Sequence, residues 1–429
     1  MTIYRHTRLT GRQACLCRLP AVGLMLLLLA ACAAPIRLNA VPEERTTEAA
    51  IPGIPGARFW VDKESEPFLR EALLSFEKEK AHLASIGHSG PLPPVTFLAV
   101  SGGGDNGAFG AGLMKGWTEH GDRPVFKAVT GVSTGALIAP LAFLGPEHDD
   151  TLADAYTAIT QADIFESRGL LGGVFSDALA DTLPMSKTIE RFVTQDLLDA
   201  IAVEYAKGRL LLVGSTNLDA RRPIIWNMTA IAASNSPNAL PLFRKILLAS
   251  AAVPGAFPPV MIDVAVDGEA YQEMHVDGGA MAQVFLYPSA FNLAEQSVRL
   301  HAQRERKVYI IRNARLDPDW ADVERRTFSI AGRAISSLIH SQGIGDLYRI
   351  YLTSQRDGID YNLAFIGPDF DFEHLDEFDQ AFMRALYSYG YDLGRQGYPW
   401  RKAPPGFEGL EMTPQPAGAA DTVTSAPSS

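Results

Sequence analysis

Six short apolar runs recur between residues 95 and 367: "VTFLAVS" (95–101), "VFKAVTGV" (125–132), "RLLLVGS" (209–215), "EMHVD" (273–277), "KVYIIRN" (307–313) and "YNLAFIG" (361–367). Several are almost continuously apolar rather than alternating, the pattern of strands covered on both faces. Between them lie helical patterns, among them "GAFGAGLMKGWTEHG" (107–121), "TGALIAPLAFLG" (134–145) and "DEFDQAFMRALYSYGYDLG" (376–394). Strand–helix alternation of this kind makes an α/β fold, with a mainly parallel central sheet and helices on both faces. In such sheets, sites form at the carboxyl ends of the strands.

Two of these runs end in glycine-rich turns. The strand pattern at 125–132 leads directly into "GVSTG", Gly131-Val132-Ser133-Thr134-Gly135, and a helical pattern starts at Thr134. This is the strand–turn–helix setting of a nucleophile elbow: Gly131 and Gly135 leave room, and the helix N-terminus points N–H groups toward negative charge near Ser133. The pattern at 95–101 ends in "SGGGDNGAFGAG", where Gly102, Gly103 and Gly104 expose backbone donors suited to an oxyanion. The same stretch matches a dinucleotide fingerprint, Gly102-x-Gly104-x-x-Gly107, but the next strand ends in "TGVSTG" without the acidic residue that reading requires. A third turn, "HVDGGA", sets Asp277 at a strand end before Gly278 and Gly279. It fits a plain turn in which the aspartate bonds its own backbone. It also fits a general base for Ser133, given burial that raises the carboxyl pKa.

Taken in order, Gly102-Gly103-Gly104, Gly131 to Gly135 with Ser133, and Asp277-Gly278-Gly279 resemble the patatin-like phospholipase family, and "LASAAVPGAFPPV" (248–260) resembles that family's block between elbow and aspartate. The resemblance spans about 95–290. It implies a three-layer α/β sandwich and a Ser–Asp dyad without histidine: Ser133 attacks an acyl ester, Asp277 is the base, and Gly102, Gly103 and Gly104 hold the oxyanion. The implied substrates are membrane lipids and other acyl esters, with no cofactor. Two departures stand out. Asn106 occupies a position where many members carry a basic residue. Ala282-Gln283-Val284-Phe285 replaces the Asn-Pro that often follows the aspartate. His275, His301, His340 and His374 are read as packing or surface residues.

The N-terminus reads as a targeting segment. Arg5, Arg8, Arg12 and Arg18 precede "AVGLMLLLLAA" (21–31), too short to span a bilayer comfortably and right for a signal h-region. Leu29-Ala30-Ala31-Cys32 resembles a bacterial lipobox, which implies cleavage before Cys32, its lipidation, and a cell-envelope location; Ala33 in place of Asp points to the outer membrane. Cys15 and Cys17 would leave with the signal, so no cysteine remains for a disulfide or a metal. Four domains are expected: signal 1–31, lipidated Cys32 with a flexible tether through 56, an acyl hydrolase body at 57–412, and a disordered tail at 413–429. No metal-ligand set is visible, so activity is expected without calcium. "RGLLGGVFSDALADTLPM" (168–185) fits either a lid at an acyl pocket or a partly buried helix and loop.

Net charge is −11, and the four N-terminal arginines fall in a segment with no acid, which leaves the remainder near −15. A surface this acidic excludes nucleic acid as a partner and a purely electrostatic grip on anionic lipid. The leading function class is a lipid-anchored serine acyl hydrolase; beside it stand a non-catalytic envelope lipoprotein that uses the same fold for binding or scaffolding, and the nucleotide-binding protein of the glycine fingerprint, which a cofactor-binding titration would expose.

Overall fold

The computed structural model describes residues 37–61, 65–167 and 180–409. All six expected runs are strands of one nine-stranded sheet. In chain order its strands are β1 (Arg58–Trp60), β2 (Val95–Val100), β3 (Ala128–Val132), β4 (Leu210–Asn217), β5 (Arg222–Asn227), β6 (Val260–Val266), β7 (Glu269–Asp277), β8 (Arg306–Arg315) and β9 (Asp360–Ile366). The five central strands, β4-β3-β2-β8-β9, are parallel. Strands β5 and β1 extend the β4 side antiparallel.

Side-chain alternation along β2 shows why both faces are covered. Leu98 and Val100 belong to one apolar core, Phe97 and Ala99 to the other. The first core is closed by helices α2 (Gly107–His120) and α3 (Thr134–Leu144), and by α11 (Gln380–Arg395), which packs along α2. That packing is very close, because a Cβ on Gly112 or Gly116 would lie about 2 Å from backbone oxygens of α11. The second face carries α1 (Ser65–Ser85) and the buried half of α10 (Thr327–Asp357), whose Leu347, Ile350 and Tyr351 join Phe97 and Ala99. Ser250, used below, lies on helix α8 (Ala239–Ala251).

Two expectations need correction or limits. The tether expected through residue 56 is ordered from residue 37 and docked on the body: Ile51 and Ile54 are buried, Ala50 bridges to Ala265, and Arg37 pairs with Asp219 at 2.7 Å. Apolar Ile51 and Ile54 within "IPGIPG" explain it, since the prolines and glycines make turns that seat them. Signal, Cys32 and tail lie outside the described residues, as do 168–179 of the expected lid segment; 180–181 pair with 166–167 as a small ribbon, and helix Leu183–Phe192 follows.

Candidate active site

Strand β3 ends at Val132, and Ser133 makes the turn into α3 with φ 55° and ψ −127°. Positive φ is strained for a side-chain-bearing residue and holds Ser133 at the apex. The flanking glycines have no room for a side chain: a Cβ on Gly131 would lie 2.3 Å from Gly135 O, and one on Gly135 2.3 Å from Val100 O. The Ser133 N–H donates to Ser250 Oγ at 3.0 Å, and Ser250 Oγ donates to Gly214 O at 2.6 Å. Ser250, on α8, thus pins the elbow to β4.

Asp277 reaches the same place by sheet register. Strand β3 pairs with β4 only as far as Val132↔Gly214. From Ser215 onward the partner of β4 is β7, beginning at Ser215↔Asp277. Asp277 therefore occupies the lane that β3 vacates at Ser133. Its Oδ1 accepts from Gly279 N–H at 2.6 Å, so the plain-turn bond is present. Its Oδ2 is buried with no completed hydrogen bond among the described residues. Burial pushes the carboxyl up to about 6, against the lowering effect of the Ser133 hydroxyl and of Gly279 N–H. A base poised near neutrality, aimed at Ser133, is what proton abstraction needs.

The glycine loop closes the third side. A Cβ on Gly102 would come within 3.1 Å of Ser133 Cβ, so its backbone lies against the nucleophile. Gly102 itself is a correction to the expected oxyanion set: its N–H already donates to Gln283 O at 3.0 Å. Gly103 (φ 155°) is wedged over Asn313, and Gly104 (φ 59°) has open space where a side chain would be. Asp105, buried beneath this loop, accepts at Oδ2 from His374 Nε2 (2.7 Å) and Phe378 N–H (2.8 Å).

Sequence reading passed over several residues that hold the site together. Gln283, noted only as a departure after Asp277, donates Nε2–H to Gly279 O (2.9 Å) and its own N–H to Asp346 Oδ2 (2.6 Å), while its carbonyl takes the Gly102 N–H. One residue thus ties the aspartate turn to the glycine loop. Asn313 donates Nδ2–H to Ser101 O and accepts from Gly110 N–H. A polar residue closing the apolar run "KVYIIRN" was its signal. No histidine bonds Ser133 or Asp277 among the described residues. His275 is core, between Ser215 (2.9 Å) and Glu273 (3.1 Å). No three His, Cys, Asp or Glu among the described residues gather as a metal site.

The patatin-like phospholipase family profile matches residues 98–288. Those residues are a patatin-like phospholipase domain. The matched span holds Gly102 to Gly104, Ser133, Ser250, Asp277 and Gln283, and the domain it marks is of a lipid acyl hydrolase family. Asn313 and the Asp346 of α10 stand outside the patatin domain yet buttress its site. Among solved structures, VipD from Legionella pneumophila is similar at 11% identity and a TM-score of 0.34, covering 72% of this chain and 67% of that one. Among curated proteins none matches.

Proposed function

We propose that this protein is a serine acyl-ester hydrolase acting on lipid acyl esters through a Ser133–Asp277 dyad. The observation that carries the reading is the buried, pKa-raised carboxyl of Asp277 in the lane of a strained Ser133. Ser133 Oγ attacks the ester carbonyl carbon as its proton passes to Asp277 Oδ2. The N–H groups of Gly103 and Gly104 receive the oxyanion, with Gly102 serving as a spacer. Collapse expels the alcohol, which takes the proton from Asp277. Water then attacks acyl-Ser133 with Asp277 as base, and collapse returns the proton to Ser133 and frees the fatty acid. Cys32 as a lipidated N-terminus in a bacterial envelope, outer membrane included, belongs to the same proposal and is supported by the lipobox resemblance. A binding module would need neither the strain at Ser133 nor a carboxylate stripped of solvent beside it.

The test is fatty-acid release from phospholipid vesicles as a function of pH. Asp277 must be ionised to accept the proton, so kcat/KM is expected to rise with pH, with unit slope, through about 6 and then level. A flat profile from pH 5 to 8 contradicts Asp277 as the base.

Asp105 supplies a second expectation. Its carboxylate clamps the glycine loop to the 374–378 segment, so Asp105→Ala is expected to lower kcat on a soluble ester roughly tenfold through misplaced oxyanion donors, with KM little changed. His374→Ala leaves the Phe378 N–H bond in place and is expected to cost less.

A further inference from the structure

Helix α10 is far longer than the sheet it crosses. Its C-terminal end meets the amino ends of the strands, where Asp357 O accepts from Arg306. Its middle lies level with the active site: a Cβ on Gly343 would meet Arg312, and Asp346 holds the Gln283 N–H. The sixteen residues from Thr327 to Gln342 therefore project past the carboxyl edge, about 24 Å at 1.5 Å per residue. No described side chain in this overhang is buried.

At 100° per residue, Ile330, Ala334, Leu338, Ile335 and Ile339 share one half of the overhang's circumference, interrupted only at its two ends by Thr327, Ser341 and Gln342, with Arg333, Ser336, Ser337 and His340 on the other half. The apolar half faces solvent: Leu338 is 69% exposed, and Trp320 in the loop leading to the helix is 88% exposed. More apolar side chains stand open around the dyad on the same edge. Val253 follows the Ala252 carbonyl that holds Asp277 N–H, Met281 follows the aspartate turn, and Phe372 and Leu375 stand on either side of His374, which bonds Asp105. The chain's N-terminal part also leaves from this edge. Arg37 is fixed to Asp219 just beyond the end of β4, and Cys32 lies five residues further, within about 18 Å of chain.

We propose that the overhang of α10 and this apolar rim form one lipid-surface contact, which lays the carboxyl edge of the sheet, and so the mouth over Ser133, on a membrane. The inference rests on the acyl hydrolase reading above for its substrate, and on the structure for its orientation. None of the helices among the described residues is long and apolar enough to cross a membrane, so α10 would lie in the interface rather than span it. The chain is acidic overall, so the grip comes from apolar insertion and is expected to hold on zwitterionic lipid at high salt.

The test uses the full chain carrying Cys32→Ser, so that no acyl anchor contributes, with and without the pair Ile335→Asp and Leu338→Asp. Phosphatidylcholine vesicles containing brominated lipid report on Trp320, because Trp60, Trp117 and Trp226 are buried and Trp400 is half-buried; Trp320→Phe gives the blank. The expected result is quenching of Trp320 that the Asp pair abolishes, vesicle hydrolysis lowered at least tenfold by the pair, and hydrolysis of a short soluble ester unchanged within twofold. Leu338→Gln, a milder change, is expected to fall between. Vesicle hydrolysis by the Asp pair equal to the parent, or an unquenched Trp320 in the parent, overturns the proposal. Quenching lost in the Asp pair, with no ester hydrolysed by either chain, supports the lipid contact and overturns the acyl hydrolase reading instead.

Discussion

Asp277→Asn is expected to lower kcat about a thousandfold and, at the same time, to make the protein more stable. The two effects share one cause. With the carboxyl raised to about 6 from 3.8, keeping it ionised in the fold at neutral pH costs about 3 kcal/mol, at 1.36 kcal/mol for each pH unit. The folded state binds this proton more tightly than the unfolded one. The group's stabilising contribution is therefore complete below about pH 4 and is lost as pH rises through about 6. Asparagine carries no charge and can keep the bond to Gly279 N–H through Oδ1. Denaturant unfolding of wild type and variant at pH 7.5 should show the gap, and the same comparison near pH 4 should show it closing. Equal stability at pH 7.5 would mean that the carboxylate is not held in the unsolvated state that its role as base requires.

The second large effect lies away from the chemistry. Arg58→Ala is expected to cost about 3–5 kcal/mol of stability, because it strands a buried carboxylate. Arg58 pairs with Glu273 where both side chains are almost wholly buried, and it also donates to Ala49 O at 2.8 Å. Burial alone would push the Glu273 carboxyl up; the charge of Arg58 and hydrogen bonds from His275 and Arg58 outweigh it and bring it to about 2. His275 passes the arrangement on to Ser215, which also accepts from Trp226 Nε1–H at 2.7 Å. Ser215 is the residue paired with Asp277. The N-terminal segment thus supports the strand that carries the base. Thermal unfolding of Arg58→Ala, beside the double variant Arg58→Met with Glu273→Met, checks this. The double variant removes both charges and should recover most of the loss, and a single variant as stable as wild type would contradict the account.

The sequence was most legible where one local cause dictates the structure. Strands buried on both faces announce themselves as apolar runs, and all six lie within a residue or a few of the expected ends. Gly131 and Gly135 could be read as an elbow because no side chain fits beside the turning backbone. The misses have a different origin. Strands β5 and β6 mix polar and apolar residues, so neither stands out as an apolar run, although each is one arm of a tight hairpin, with β4 across Leu218–Arg221 and with β7 across Asp267-Gly268. The tether expectation failed because Pro- and Gly-rich composition says how a segment can bend, and not whether its few apolar residues find a pocket. Gly102 was counted as an oxyanion donor because a free N–H cannot be told from one taken by Gln283, 181 positions later. Ser250, Gln283 and Asn313 act through the backbone of the site, and such contacts leave no spacing signal. Helix α10 went unread because its buried and overhanging halves turn different faces to different surroundings, which blurs a single helical periodicity.

The most direct test of the central claim is covalent capture. The full chain is treated with a fluorophosphonate, a neutral reagent that phosphonylates only an activated serine, and the adduct is mapped by mass spectrometry in wild type, Ser133→Ala and Asp277→Asn. The account predicts a single adduct on Ser133 in wild type, none in Ser133→Ala, and labelling slowed about a thousandfold in Asp277→Asn. A folded wild type that takes no label, or a label that forms as fast in Asp277→Asn as in wild type, would contradict the dyad.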